Sequence, residues 1–318
     1  MKAIIVNEIG TTDKLILDTV SEPKTKPNEV KIKIIYAGIN FIDIYKRKGI
    51  YKLDLPFIPG EEGVGNVIEI GEKVKRFSVG DRVAYCMVGG SYAEFNCVDQ
   101  NKIKKIPDGL DFKQAASAML QGLTTHYLTH STFQIKKGTK VVIQAASGGV
   151  GLLLVQVAKM MGAIVVAVSS TEEKMNLIKN MGADYIYSYN DFDKKILSNV
   201  GKVDVVYDSV GKTTFTRGLD LLKPRGYMVL YGQSSGMVDS INPSTLVQKG
   251  SLFLTRPSLA HYILDPEELQ SRADAVFEWI KSNKIKLTID SVFSLEKAKD
   301  AQDRLEKRLN KGKVLLKV

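Results

Sequence analysis

The segment Lys140-Val-Val-Ile-Gln-Ala-Ala-Ser-Gly-Gly-Val-Gly151 runs an apolar strand into a glycine-rich turn, and an apolar helical pattern follows. That order suits the binding of a nucleotide's phosphates. Gly148 and Gly149 let the backbone approach a pyrophosphate with no Cβ in the way, and Gly151 lets the next helix pack close to the strand. The helix N-terminus then offers unpaired N–H groups to the anion. Ala146 stands where the usual fingerprint has its first glycine.

The next strand, Ile164-Val-Val-Ala-Val-Ser-Ser170, bears on which dinucleotide is bound. A site for the unphosphorylated form places an Asp or Glu at the end of this strand, about twenty residues past the turn, to take the ribose hydroxyls. Serine holds that place here. Nothing repels a 2′-phosphate, and Ser169, Ser170 and the cation Lys174 offer donors to it, although Glu172 and Glu173 lie nearby. The expected cofactor is therefore NADPH, with Tyr189 closing over its adenosine end.

The elements that must position these residues alternate from Lys140 onward: strand 140–146, helix 150–161, strand 163–168, helix 171–180, strands near 185–188 and 203–207, a helix near 213–221, and strands Tyr227–Tyr231 and Ser251–Thr255. This predicts a doubly wound parallel sheet of about six strands, a Rossmann-type cofactor domain over 123–259. Before residue 122 the pattern is short strands punctuated by proline and glycine, with few long helical periods, which predicts a compact β-rich domain. The tail reads as a helix Pro266–Ser282, a strand near 289–293, a helix Leu295–Leu309 and a final strand Lys313–Val318. A lone terminal strand must pair with something, so residues 260–318 are expected to join 1–122, with the cleft between the two domains. The α/β class follows.

Bulk properties exclude several functions. The N-terminus shows no basic-then-apolar leader, and no apolar run approaches the length of a membrane span, so a soluble, cytoplasmic protein is expected. Cys86, Cys97, His126, His130 and His261 form no metal-ligand spacing, which argues against zinc. The net charge of +10 comes from lysines scattered along the chain, so nucleic acid is not expected as the main partner.

The chain also resembles the quinone oxidoreductases, the zinc-free medium-chain dehydrogenases/reductases that include zeta-crystallin. The resemblance rests on Gly38-Ile-Asn-Phe-Ile-Asp-Ile-Tyr45 with Gly49-Ile-Tyr51, on Pro59-Gly-Glu-Glu-Gly-Val-Gly65 and Gly80-Asp-Arg-Val83, on the glycine turn itself, on Tyr207-Asp-Ser-Val-Gly211, and on Thr255-Arg-Pro-Ser258. Zinc-dependent relatives carry a histidine where Glu61 stands and a cysteine in the first of these segments. The resemblance implies a GroES-like catalytic domain, with Asn40, Tyr45 and Tyr51 beside the nicotinamide, shaping a quinone pocket and donating hydrogen bonds. Thr124 falls near the cofactor's centre, and Ser147, Gly148, Gly149 and Val150 fall at the pyrophosphate. Ser169, Lys174 and Tyr189 match the 2′-phosphate group, Gly232, Ser234 and Ser235 a loop along the cofactor, and Arg308 an arginine from the tail. Plainer readings exist: Tyr45 and Tyr51 as packing residues, Asn40 as a left-handed turn former, Gly232 and Ser235 as a loop, Arg308 as a helix C-terminal cation.

The expected activity is NADPH-dependent quinone reduction without metal. The alternatives are reduction of the double bond of an α,β-unsaturated aldehyde or ketone, and a basic RNA-binding or structural protein that keeps a nucleotide pocket. The strand near Leu252–Leu254 would be an apolar sheet edge, and its pairing across a two-fold axis, as the resemblance also implies, predicts a homodimer.

Overall fold

The computed structural model describes residues 1–318. In chain order the first elements are β1 (Lys2–Ile5), β2 (Ile16–Thr19), β3 (Glu29–Ile39), α1 (Phe41–Arg47), β4 (Glu62–Ile70), β5 (Arg82–Cys86), β6 (Phe95–Asp99), β7 (Ile103–Lys105) and α2 (Phe112–Tyr127). The middle holds β8 (Lys140–Ile143), α3 (Gly149–Met160), β9 (Ile164–Ser169), α4 (Glu172–Asn180), β10 (Tyr185–Ser188), α5 (Phe192–Asn199), β11 (Val203–Asp208), α6 (Phe215–Asp220), β12 (Leu222–Leu230), α7 (Ser244–Gln248), β13 (Phe253–Thr255) and α8 (Leu259–Tyr262). The tail is α9 (Pro266–Lys281), β14 (Ile289–Ser294), α10 (Ala298–Glu306) and β15 (Lys313–Lys317).

The chain divides into two compact units, Met1–Leu123 with Ile263–Asn283 and Leu287–Val318, and Thr124–Tyr262 with Lys284–Lys286. In the second unit six parallel strands run in the order β10-β9-β8-β11-β12-β13. Val141–Ile143, Val165–Val168 and Val205–Tyr207 are wholly buried, as uninterrupted apolar strands covered on both faces should be. The chain leaves β8 toward β9 and β10, then returns to β11 and continues the other way. The strand order therefore reverses between β8 and β11, and the crevice for a ligand in such sheets opens at the carboxyl ends on either side of that point.

The first unit is built on β3, which pairs antiparallel with β4, β6 and β15. The final strand thus lies against residues 36–39, with Val314 opposite Ile39 and Lys317 opposite Tyr36. Ile4, Val6, Ile39, Ile44, Leu305 and Leu316 form one buried cluster, which fixes α1 and α10 over the sheet.

Several elements differ from expectation, among them the unforeseen α5, α7 and α8. β12 starts at Leu222 instead of Tyr227, because the β11 pairing shifts between Val203 and Val205. That irregularity absorbs Pro224 and the left-handed Arg225, φ 62°, which read locally as a turn. The helix expected over Leu295–Leu309 is a short 3₁₀ turn at Leu295–Lys297 followed by α10 alone. α1 and the long α2 were not foreseen in the β-rich half. The buried positions of α2 include Ala115, Ala116, Ala118 and Met119, whose small side chains give little helical contrast in hydrophobicity.

Candidate functional site: a bare phosphate turn and a buried polar cluster

Past β8, the N–H of Gln144 donates to the Tyr207 carbonyl at 2.9 Å, and Ala145 takes a left-handed conformation, φ 50°. Its N–H donates to the Tyr189 hydroxyl at 2.9 Å. Ala146 donates to Val168 O at 3.1 Å and is not left-handed, so a methyl fits where the fingerprint has glycine. Gly148, in extended conformation, precedes α3, which starts at Gly149 and Val150. A Cβ at Gly151 would lie 2.5 Å from the Ala145 oxygen and 2.7 Å from Ala146 Cα, so no side chain fits there. At Gly148 it would meet only the Ala145 oxygen, at 3.3 Å. Gly151 serves packing, whereas Gly148 leaves an approach open.

The Ser169 hydroxyl donates to the Ser147 hydroxyl at 3.1 Å, both buried, tying the end of β9 to the turn. Thr171 caps α4 by accepting the Lys174 N–H at 3.3 Å, and the Lys174 side chain is largely buried in that first turn. Glu172 and Glu173 are exposed. Ser147, Ser169 and Tyr189 are therefore gathered at the turn, with Lys174 one helical turn beyond Ser169. No carboxylate ends β9.

Across the switch point, the buried carboxylate of Asp208 accepts from Val210 N–H (2.7 Å), Gly211 N–H (3.0 Å) and the Thr214 hydroxyl (2.7 Å). Burial raises its pKa above the ordinary carboxylate value even though these donors oppose it. The loop after β12 is stitched to this turn. Ser234 N–H donates to Ser209 O at 3.0 Å, and Ser235 donates to Val210 O through both N–H (2.8 Å) and hydroxyl (2.7 Å). A Cβ at Gly232 would lie 2.7 Å from Ser209 O. Asp208 thus shapes the loop that carries Gly232, Ser234 and Ser235, a role visible beforehand only as part of a matched motif. Thr124 is buried near the C-terminal end of α2.

In the first unit Asn40 is the extended N-cap of α1, φ −137°, which overturns the left-handed reading: it opens a helix instead of turning the chain. Its amide nitrogen donates to Gly38 O (3.1 Å) and Glu62 Oε2 (3.0 Å), while its oxygen accepts from Lys313 Nζ (2.9 Å). Lys313 also donates to Glu62, a wholly buried pair, and Glu62 Oε1 accepts Leu120 N–H at 2.7 Å. Both amide hydrogens of Asn40 are thereby committed within the protein.

Asp43, three residues on, accepts from Asn40 N–H (2.9 Å), the Tyr92 hydroxyl (3.0 Å) and Glu61 N–H (3.1 Å). Burial, and then the nearby charge of Glu61, push its pKa up to about 7. Tyr45 is buried, and Tyr51, partly exposed, meets its ring edge-on at 5.6 Å. Sequence reasoning missed the ion pair of Lys46 with Glu61. Arg308 is exposed, past the end of α10 in left-handed conformation, φ 58°. No group of three His, Cys, Asp or Glu is placed to hold a metal ion.

Residues 26–108 match the family model of the alcohol dehydrogenase GroES-like domain, and 149–264 match that of the zinc-binding dehydrogenases. The chain is 41% identical to a quinone oxidoreductase of Pseudomonas aeruginosa, covering 91% of each protein. It is 38% identical to a probable quinone oxidoreductase of Schizosaccharomyces pombe, over 98% of this chain and 95% of that one. The solved structure of Escherichia coli quinone oxidoreductase complexed with NADPH superimposes with a TM-score of 0.98 at 36% identity, covering all of both chains. A 2-haloacrylate reductase structure gives 0.88 at 33%, covering 100% of this chain and 99% of the other. With this likeness running through both sheets and the glycine turn, the chain belongs to the quinone oxidoreductase family of the medium-chain dehydrogenases/reductases.

Proposed function

We propose that this protein reduces quinones with NADPH and without a metal ion. The observation that carries the reading is the end of β9, where Ser169 and the sequestered Lys174 stand beside a turn bare of side chains and no carboxylate is present to repel a 2′-phosphate. The bound cofactor supplies hydride. In this reading Ser147, Gly148, Gly149 and Val150 hold the pyrophosphate, and Ser169 and Lys174 take the 2′-phosphate with Tyr189 bracing the turn. Thr124, Gly232, Ser234 and Ser235 hold the rest of the dinucleotide, and Arg308 is a further cofactor ligand. Tyr45 and Tyr51 offer flat faces and hydroxyls to the acceptor. Asn40, with its amide hydrogens already spent, shapes that site from behind. Steady-state turnover with NADPH and NADH against a small panel of quinones, with and without chelator, tests the reading. Turnover that prefers NADH, or that chelator abolishes, defeats it.

Reduction of an activated double bond is the second reading, favoured by a relative, a 2-haloacrylate reductase of Burkholderia, 34% identical over 99% of this chain. Comparing a quinone with an enone of similar size separates the two. A homodimer belongs to the same proposal. β13 pairs only with β12, and Phe253 on it is half-exposed while stacking on Tyr227 at 4.5 Å. An edge strand with this apolar surface is a liability that pairing across a two-fold axis removes. A monomer mass by light scattering at micromolar concentration would exclude it. Cytoplasmic location is proposed too, supported by Cys86 and Cys97 both being free thiols. No helix is long and apolar enough to cross a membrane.

A further inference from the structure

The ion pair of Lys46 with Glu61 is a cluster of charge beside Tyr45 in the chain to which the reading above gives no task. Glu61 is a rigid base. Its N–H donates to Asp43 at 3.1 Å, its carbonyl accepts from Met87 N–H at 2.7 Å, and its side chain is only 5% exposed. The Lys46 side chain is 18% exposed, so the pair is largely withdrawn from water without being sealed off. Taking such charges out of solvent is costly, and an ion pair fastening α1 to β4 would be cheaper at the surface.

Three further observations bear on what the ammonium faces. Both ends of the pair adjoin the acceptor set in the chain: Lys46 follows Tyr45, and Glu61 precedes Glu62, which binds the Asn40 amide at 3.0 Å. A Cβ built at Gly89 would touch Glu61 Oε1 at 3.4 Å and nothing else within 4 Å, so the space beside the carboxylate is not filled by the protein. An ammonium also has three donors, and Glu61 uses one. Asn40 is excluded as a donor to substrate by its own hydrogen bonds, so Lys46 adds a charged donor to the Tyr45 and Tyr51 hydroxyls proposed at the acceptor.

We infer that Lys46 is a catalytic residue of the acceptor site, its ammonium aimed by Glu61 at the quinone oxygen on which negative charge develops. This rests on the reading that the acceptor lies with Tyr45 and Tyr51. Hydride brings two electrons and one proton to the quinone, and the oxygen that becomes anionic takes a second proton from the Lys46 ammonium, completing the hydroquinone. Water returns a proton to the amine. A donor fixed before the charge appears needs no reorganisation during the reaction, which is why such groups contribute strongly in a site with little water.

The experiment compares wild type, Lys46→Met and Lys46→Arg. NADPH affinity is measured by fluorescence titration, turnover on a series of quinones of falling reduction potential, and binding of 4-nitrophenolate, a flat oxyanion, by its absorbance change. Lys46→Met leaves the buried Glu61 carboxylate unpaired and should lower the melting temperature, while below that transition it should keep its NADPH affinity and lose about 100-fold or more in kcat, the scale seen on removing an oxyanion donor. The loss should grow as the quinone becomes harder to reduce, and nitrophenolate affinity should fall at least tenfold. Lys46→Arg restores the positive charge but not a proton that can be given up, so it should recover most of the nitrophenolate affinity and only part of kcat. A Lys46→Met enzyme within threefold of wild type overturns the inference, as does a loss uniform across the series or one matched by an equal loss of NADPH affinity. A wild-type protein that binds NADPH yet reduces no quinone overturns the parent reading, and the inference falls with it.

Discussion

The hydroxyl of Tyr189 accepts the N–H of Ala145 at 2.9 Å, so a residue 44 positions downstream holds the one left-handed alanine of the phosphate turn. Removing that oxygen strands a partly buried donor in an already unfavourable conformation. Tyr189→Phe should lose about 1–3 kcal/mol of stability in urea titration, the cost of an unsatisfied buried polar group, and should raise the Michaelis constant for NADPH. Unchanged values for both would show that the turn holds without its brace.

Gly151 and Gly148 should respond oppositely to the same added methyl. Gly151→Ala drives a Cβ to 2.5 Å from a backbone oxygen that cannot swing away, and about 1–3 kcal/mol of destabilisation is expected in thermal or urea melts. Gly148→Ala meets only a 3.3 Å contact and should fold nearly as well, but it places the methyl at the proposed approach of the pyrophosphate. Its signature is weakened NADPH binding at an almost unaltered melting temperature.

Lys174→Ala probes the phosphate preference directly. A charge-assisted hydrogen bond to phosphate contributes about 1.5–3 kcal/mol, so the Michaelis constant for NADPH should rise roughly 10- to 100-fold while that for NADH barely moves. Equal changes for both cofactors would remove Lys174 from the 2′-phosphate.

Asp43 gives stability a pH dependence of unusual sign. Its folded pKa of about 7 lies above the ordinary value of 3.8, so between those limits the folded chain holds the proton more tightly than the unfolded one. Stability contributed by this group is fully present below about pH 4 and is lost as pH rises through about 7. Asp43→Asn should flatten that portion of a urea-denaturation profile measured from pH 5 to 8. A mutant profile parallel to that of wild type would assign the slope to other groups.

The parallel half was largely legible in the sequence because its strands, such as Val165–Val168, are buried on both faces and alternate with helices. The glycine turn also declares its own neighbours. The other half yielded its class and the return of the final strand to it, but not its sheet order, since short antiparallel strands do not state which of them pair. α2 escaped notice because Ala115, Ala116 and Ala118 look alike in any register. The ends of strands β8 and β9 stand out in the local pattern, whereas the bracing of the turn by Tyr189 depends on a tertiary contact. Asn40 was singled out, but its partners Glu62 and Lys313 lie 22 and 273 residues away, and no local pattern announces that both its donors are spent. The pair of Lys46 with Glu61 was hidden for the same reason.

Lys313 sits on the last strand, and β15 is wedged between β14 and β3. Glu62 and Lys313 are separated by 251 positions, so no local segment can form this pair by itself. Closure of the β3–β4 core and docking of β15 are therefore coupled, because a fold without β15 would seal the Glu62 carboxylate in the interior with no cation beside it.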